Sequence, residues 1–208
     1  MNKKRLPLII VIVGMSILIA SIFMESEPPL PDIPQDIQGL FIDSPAVVLP
    51  RFTMTDMNGQ PFNNSNFMGK WSLVFFGYTN CPDVCPTSMR ILDQISRKEN
   101  IDDDTQYVFI SVDPKRDTTK VIKDFVGFFN AKFIGATGEK AEIDKFKDPL
   151  GVIYGYEGDT SSADYVVTHF AAIYIIDPNG RARAYVLPPH KVDQVSKSYQ
   201  LIREHYGE

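Results

Sequence analysis

The chain has 208 residues, of which 44% are hydrophobic and 23% charged, the composition of a folded domain rather than a disordered or collagen-like segment. A net charge of −5 argues against a nucleic-acid-binding footprint. The two cysteines, Cys81 and Cys85, stand close together, which excludes a disulfide-stapled mini-protein and a four-cysteine zinc module and points to one local site.

The amino terminus comes first. Lys3, Lys4 and Arg5 precede an uncharged run from Leu6 to Met24 in which 15 of 19 residues are apolar. As a helix this run is about 28 Å long, close to the hydrocarbon thickness of a bilayer. Its end, Ala-Ser-Ile-Phe-Met-Glu, is a poor small-x-small cleavage site, so an uncleaved anchor is expected over 1–24 rather than a removed signal. The basic start belongs on the cytoplasmic side. A single-pass protein of a bacterial inner membrane is the expectation, with its C-terminal domain in the periplasm. The exported part carries 18 basic against 26 acidic residues, too diffuse a charge to name a partner. Residues 25–50 hold Pro28, Pro29, Pro31, Pro34, Pro45 and Pro50 and read as an extended, fairly stiff tether.

Residues 51–208 read as one α/β domain. Residues 51–62 form a hairpin turning at Asn58-Gly59, and 71–77 is a buried strand. Pro86 marks a helix start, with Met89, Leu92 and Ile95 on its apolar face. A second buried strand runs over 107–112. Asp117 or Thr118 then caps a helix whose apolar side uses Val121, Ile122, Phe125, Val126 and Phe129. A short strand over 132–136 and a helix over 139–147 come next. Strands over 171–176 and 182–187 turn at Asn179-Gly180, and Val192, Val195, Tyr199, Ile202 and Tyr206 space out a terminal amphipathic helix. Without the first hairpin and an insertion over 132–164, the order is βαβ-α-ββα, that of a thioredoxin-like core. Such a core places the cysteine loop at the rim of the sheet, where open α/β folds bind ligands.

The C-x₃-C spacing is one residue longer than the C-x-x-C of dithiol oxidoreductases, so its sulfurs can embrace a metal as well as each other. Cys85 lies at a helix start, where free N–H groups and the dipole favour thiolate. Two cysteines cannot hold an iron–sulfur cluster unaided, and structural zinc wants four ligands. Soft Cu(I) is satisfied by two thiolates and one imidazole. Three histidines compete for that third place. His205 suits the dipole at the end of the terminal helix, His190 reads as a surface loop residue, and His169 enters the 171–176 strand beside the cysteine loop. An inert structural disulfide is the plain alternative, although so small a loop contributes little entropy when closed.

Gly77-Tyr78-Thr79-Asn80-Cys81-Pro82-Asp83-Val84-Cys85-Pro86-Thr87 resembles the signature of the Sco/SenC family of copper-binding assembly factors for cytochrome c oxidase. Ser111-Val112-Asp113-Pro114-Lys115-Arg116-Asp117-Thr118 resembles its second hallmark. Asp164-Tyr165-Val166-Val167-Thr168-His169, followed by Tyr174-Ile175-Ile176-Asp177-Pro178-Asn179-Gly180, resembles the third. The resemblance covers about residues 45–206. It implies a thioredoxin-like fold, copper as Cu(I) with Cu(II) left open, and Cys81, Cys85 and His169 as its ligands. Thr168 departs from the family pattern, in which Asp often precedes the histidine. The implied partners are the copper-site subunit of cytochrome c oxidase, whose Cu_A centre would receive the metal, and other copper carriers or thioredoxin-like reductants. The competing reading is a thiol–disulfide oxidoreductase working through Cys81 and Cys85 on the oxidase's copper-site cysteines. A peroxidase would need a lone reactive cysteine with a nearby Arg, which the pairing disfavours.

Overall fold

The computed structural model of the protein describes residues 28–98, 104–162 and 164–207. The membrane helix expected over 6–24 lies outside these residues. Among the described residues no helix is long and apolar enough to cross a membrane.

Among the described residues, ten strands and four α-helices run in chain order: β1 (Leu40–Val48), β2 (Thr53–Asp56), β3 (Pro61–Asn63), β4 (Trp71–Gly77), α1 (Val84–Ser96), β5 (Thr105–Ser111), α2 (Thr119–Phe129), β6 (Ile134–Thr137), α3 (Lys140–Lys147), β7 (Tyr154–Glu157), β8 (Val166–His169), β9 (Ile173–Ile176), β10 (Arg181–Val186) and α4 (Val192–Tyr206). Eight strands make one mixed sheet in the order β1-β10-β9-β4-β5-β6-β2-β3, and β7 and β8 make a separate antiparallel pair. This is the expected thioredoxin-like arrangement. The central strand β4 is buried along its whole length, as a strand covered on both faces must be, and its sequence Trp-Ser-Leu-Val-Phe-Phe-Gly is correspondingly apolar. It pairs in parallel with β5, from Trp71↔Thr105 to Gly77↔Ser111, and antiparallel with β9. The loops leaving β4 and β5 therefore emerge side by side.

α1 buries Met89, Leu92 and Ile95 as its spacing predicts, together with Cys85, Ser88 and Ile91. It starts at Val84, two residues before the expected Pro86. Pro86 sits within the first turn, where its missing N–H would have no helical partner anyway. Thr118, not Asp117, caps α2, its hydroxyl accepting from the Val121 N–H. α2 buries Ile122 and Val126 but leaves Val121, expected on its apolar side, exposed.

Two boundaries need correction. The stretch read as tether contains β1, which pairs antiparallel with β10 through Leu40↔Val186 and Val48↔Arg181, with an irregularity between Ile42 and Val47. The folded unit thus begins well before residue 51. The segment read as an insertion contributes β6, which joins the main sheet by pairing with β5 and β2. Of that segment, the stretch after β6, with the β7–β8 hairpin that follows, stands outside the main sheet.

Candidate metal centre

Cys81 lies in the loop after β4 and is partly exposed; Cys85 is the second residue of α1 and is fully buried. The helix start turns the Cys85 N–H toward Cys81 Sγ, at 3.4 Å. His169 ends β8 opposite Tyr154, and its Nε2 is 3.3 Å from Cys85 Sγ. The two sulfurs and a ring nitrogen of His169 all lie within 4.8 Å of one another. First-row metals bind thiolate sulfur at about 2.3 Å, so donors facing one ion sit up to about 4.6 Å apart. The three groups match that span, and the set is soft, as Cu(I) prefers.

The two thiols differ sharply. Cys81 is lowered to about 4, chiefly by its hydrogen bond with Cys85, helped by His169 and by backbone N–H groups and opposed by partial burial. Cys85 is pushed up by burial and by the negative charge on Cys81. The pair therefore favours one thiolate at the mouth backed by one buried thiol. Burial also raises the Tyr78 hydroxyl, with the Cys81 charge adding to the effect.

The edges of Phe75 and Tyr78 flank the His169 ring, each with centroids 6.0 Å away. His169 Nδ1 is buried without a hydrogen-bond partner among the described residues. Thr168, where the family pattern has Asp, is exposed and donates to the Gly155 carbonyl at 3.3 Å, so it leaves the imidazole untouched.

The other histidines stay out of the donor set. His190 is not the surface residue expected: it is buried, with Nδ1 2.8 Å from Ser88 Oγ and Nε2 3.1 Å from the Val186 carbonyl. Its ring packs edge-on with Phe75, as the His169 ring also does. His205 lies in the last turn of α4, as expected, and its Nε2 donates to the Pro29 carbonyl at 2.7 Å. Tyr78, Asp113, Arg116 and Tyr165 stand inside the family motifs but were given no site role by the sequence; Tyr78 meets the His169 ring, and the other three bond one another beside it in the chain. A tyrosine three residues before the first cysteine and another four before the histidine were the available signal.

The sequence matches the SCO1/SenC family over residues 42–202. The SCO2-like protein of Rickettsia felis is 34% identical over 177 residues, covering 83% of this chain and 85% of its own. The crystal structure of Arabidopsis thaliana ScoI with copper bound is similar at a TM-score of 0.68 and 31% identity, covering 76% of this chain and 99% of that one. The structure of Bradyrhizobium japonicum ScoI with copper bound is similar at a TM-score of 0.64 and 32% identity, covering 76% of this chain and 99% of that one.

Proposed function

The chain belongs to the SCO1/SenC family, and from that premise we propose that it is a copper chaperone that carries Cu(I) on Cys81, Cys85 and His169 and hands it to the Cu_A centre of cytochrome c oxidase during assembly. The observation that carries this reading is the donor set itself: two sulfurs and one imidazole within 4.8 Å at the rim of the sheet. The copper held by the Arabidopsis and Bradyrhizobium relatives supports the choice of metal.

Cys81, held as thiolate and partly exposed, meets incoming or departing copper first. Cys85 loses its proton when the ion arrives, since metal ligation requires the thiolate, so loading releases a proton. His169 supplies a neutral third donor that can leave without charge separation during stepwise exchange. A Cys81–Cys85 disulfide would remove both soft donors, so copper loading and thiol oxidation exclude each other. We place residues 6–24 in the inner membrane as an anchor, with the domain in the periplasm. β1 begins at Leu40, and the Pro29 carbonyl and Asp36 already bond His205 and Lys197 of α4, so any free tether is confined to the few residues before Pro29.

The low-lying Cys81 thiol also suits a thiol–disulfide oxidoreductase: its sulfur would attack an oxidase disulfide, and Cys85 would resolve the mixed disulfide, leaving the target reduced and this pair oxidised. The two readings separate on mixing the Cu(I)-loaded full-length chain with the copper-free oxidase subunit, its cysteines already reduced. Copper should move to the subunit while Cys81 and Cys85 stay reduced. Copper retained by the chain, with activity seen only on oxidised subunit, would overturn the chaperone reading.

A further inference from the structure

The segment from Asp113 to Asp117 carries none of the three donors, yet it touches both arms that do. We propose that this segment sets the spacing of the donors, with Arg116 as the positioning residue for His169; the inference rests on the metal-binding reading above.

The parallel register ending at Gly77↔Ser111 brings the two loops together. Asp117 is fully buried and turns toward the cysteine arm. Its Oδ2 accepts from the Thr79 N–H at 2.9 Å and from the Ser111 hydroxyl at 2.6 Å, and its Oδ1 accepts from the Thr79 hydroxyl at 2.6 Å. Thr79 stands two residues before Cys81. Asp113, also fully buried, serves the histidine arm. Its Oδ1 accepts from the Tyr165 hydroxyl at 2.5 Å and its Oδ2 from Arg116 Nε at 2.5 Å. Arg116 then donates from a terminal nitrogen to the Tyr165 carbonyl at 2.7 Å and lays its guanidinium over the Tyr165 ring at 3.5 Å, with Tyr78 at 5.6 Å. Tyr165 stands four residues before His169. Tyr156, on the other strand of the same hairpin, donates to the Val112 carbonyl at 2.8 Å.

Two buried carboxylates are costly unless each is fully bonded, and a core held only for stability is served as well by apolar residues. Here the bonds run outward to the two ligand arms. A second observation points the same way. Metal-binding histidines usually donate their other ring nitrogen to a carboxylate or carbonyl, which fixes the ring. His169 Nδ1 has no such partner among the described residues, and the Thr168 hydroxyl bonds the Gly155 carbonyl instead. Beyond the Phe75 and Tyr78 rings that flank it, the imidazole is therefore placed by the hairpin that carries it, and that hairpin is fastened at Tyr165 by Asp113 and Arg116.

The test is a double-mutant cycle on the reduced full-length chain, with Cu(I) affinity read by competition against a chromophoric chelator. Arg116→Met keeps the stem and removes the planar fork. It should weaken copper binding by about 10- to 100-fold, the range seen when groups supporting a metal ligand are lost. In a His169→Ala background the same change should cost less than about twofold, because Arg116 acts through His169. X-ray absorption of copper-loaded Arg116→Met should show the nitrogen donor depleted with both sulfurs kept. A purely structural role would leave that spectrum unchanged and let the two losses multiply. Either result, or unchanged affinity in Arg116→Met, overturns the proposal. Should Arg116→Met fail to fold, Tyr165→Phe removes only the hydroxyl bond to Asp113; it should give a smaller loss that vanishes in the His169→Ala background, and unchanged affinity again overturns the proposal. Failure of the unaltered chain to bind Cu(I), or unchanged affinity in His169→Ala, would instead strike the metal reading and the brace with it.

Discussion

Replacing Gly77 by alanine tests how tightly the fold holds the buried sulfur. A Cβ at this position would lie 2.8 Å from Cys85 Sγ, 3.0 Å from the Phe109 ring and 3.1 Å from the Phe75 ring. Favourable contacts between such atoms begin near ~3.5 Å, so the sulfur must retreat by about 0.7 Å unless the rings give way. Both rings are fully buried and packed against each other, with centroids 6.5 Å apart. Overpacking of this kind costs about 1–3 kcal/mol, and a domain of this size loses about 2–4 °C per kcal/mol. Gly77→Ala should therefore melt about 2–12 °C lower in the metal-free state. A displacement of about 0.7 Å is also several times the ~0.2 Å within which ligand distances must fall, so Cu(I) affinity should drop at least tenfold. Thermal melts followed by circular dichroism and competition titration of the full-length chain read the two effects. An alanine variant that melts and binds copper like the unaltered chain would refute the packing argument.

Other expectations are separable. Gly127, inside α2, has open space where a Cβ would go, so Gly127→Ala should gain about 0.5–1 kcal/mol from helix propensity, and a lower melting temperature would contradict this. With limiting iodoacetamide, Cys81 should be alkylated well before Cys85, because it is the more exposed and its thiol sits at about 4; its reactivity should hold from pH 8 to about 5 and fall as pH approaches 4, and mass-spectrometric mapping that finds Cys85 modified first would refute the assignment. Burial lowers His190 below its ordinary 6.5, so the unfolded chain binds the proton more readily. Stability from this residue is therefore complete above about pH 6.5 and is lost on acidification below it. His190→Gln should show a smaller drop in urea midpoint between pH 7 and pH 5 than the unaltered chain, and an equal drop would exclude His190 as a source.

Much of this was legible in the chain because the signals are local. The apolar run at 71–77, the Asn-Gly turns at 58–59 and 179–180, and the three-to-four spacing from Val192 to Tyr206 all depend on near neighbours, and the structure places elements there. β1 was hidden because Pro45 and Pro50 mark its region as irregular, while its pairing with β10 joins residues about 140 apart in the chain. His190 deceives for a similar reason: Pro188, Pro189 and Lys191 suggest a surface loop, and only α1, through Ser88, encloses the ring. The cysteines could be identified as a site from their spacing. His169 could be chosen among three histidines only through family resemblance, because the hairpin that brings it to Cys85 is a tertiary arrangement. Asp117 illustrates the limit of capping rules. Beside Thr118 either residue could cap α2, and the deciding factor is that the Asp117 carboxylate satisfies Thr79 and Ser111 instead.

Everything proposed for this chain turns on Cys81, Cys85 and His169 forming one copper site. Titration of the reduced full-length chain with Cu(I), beside its Cys81→Ser, Cys85→Ser and His169→Ala variants, tests it most directly. One tight equivalent is expected in the unaltered chain, lost or greatly weakened in each of the three variants. A tight equivalent that survives any one of them would contradict it.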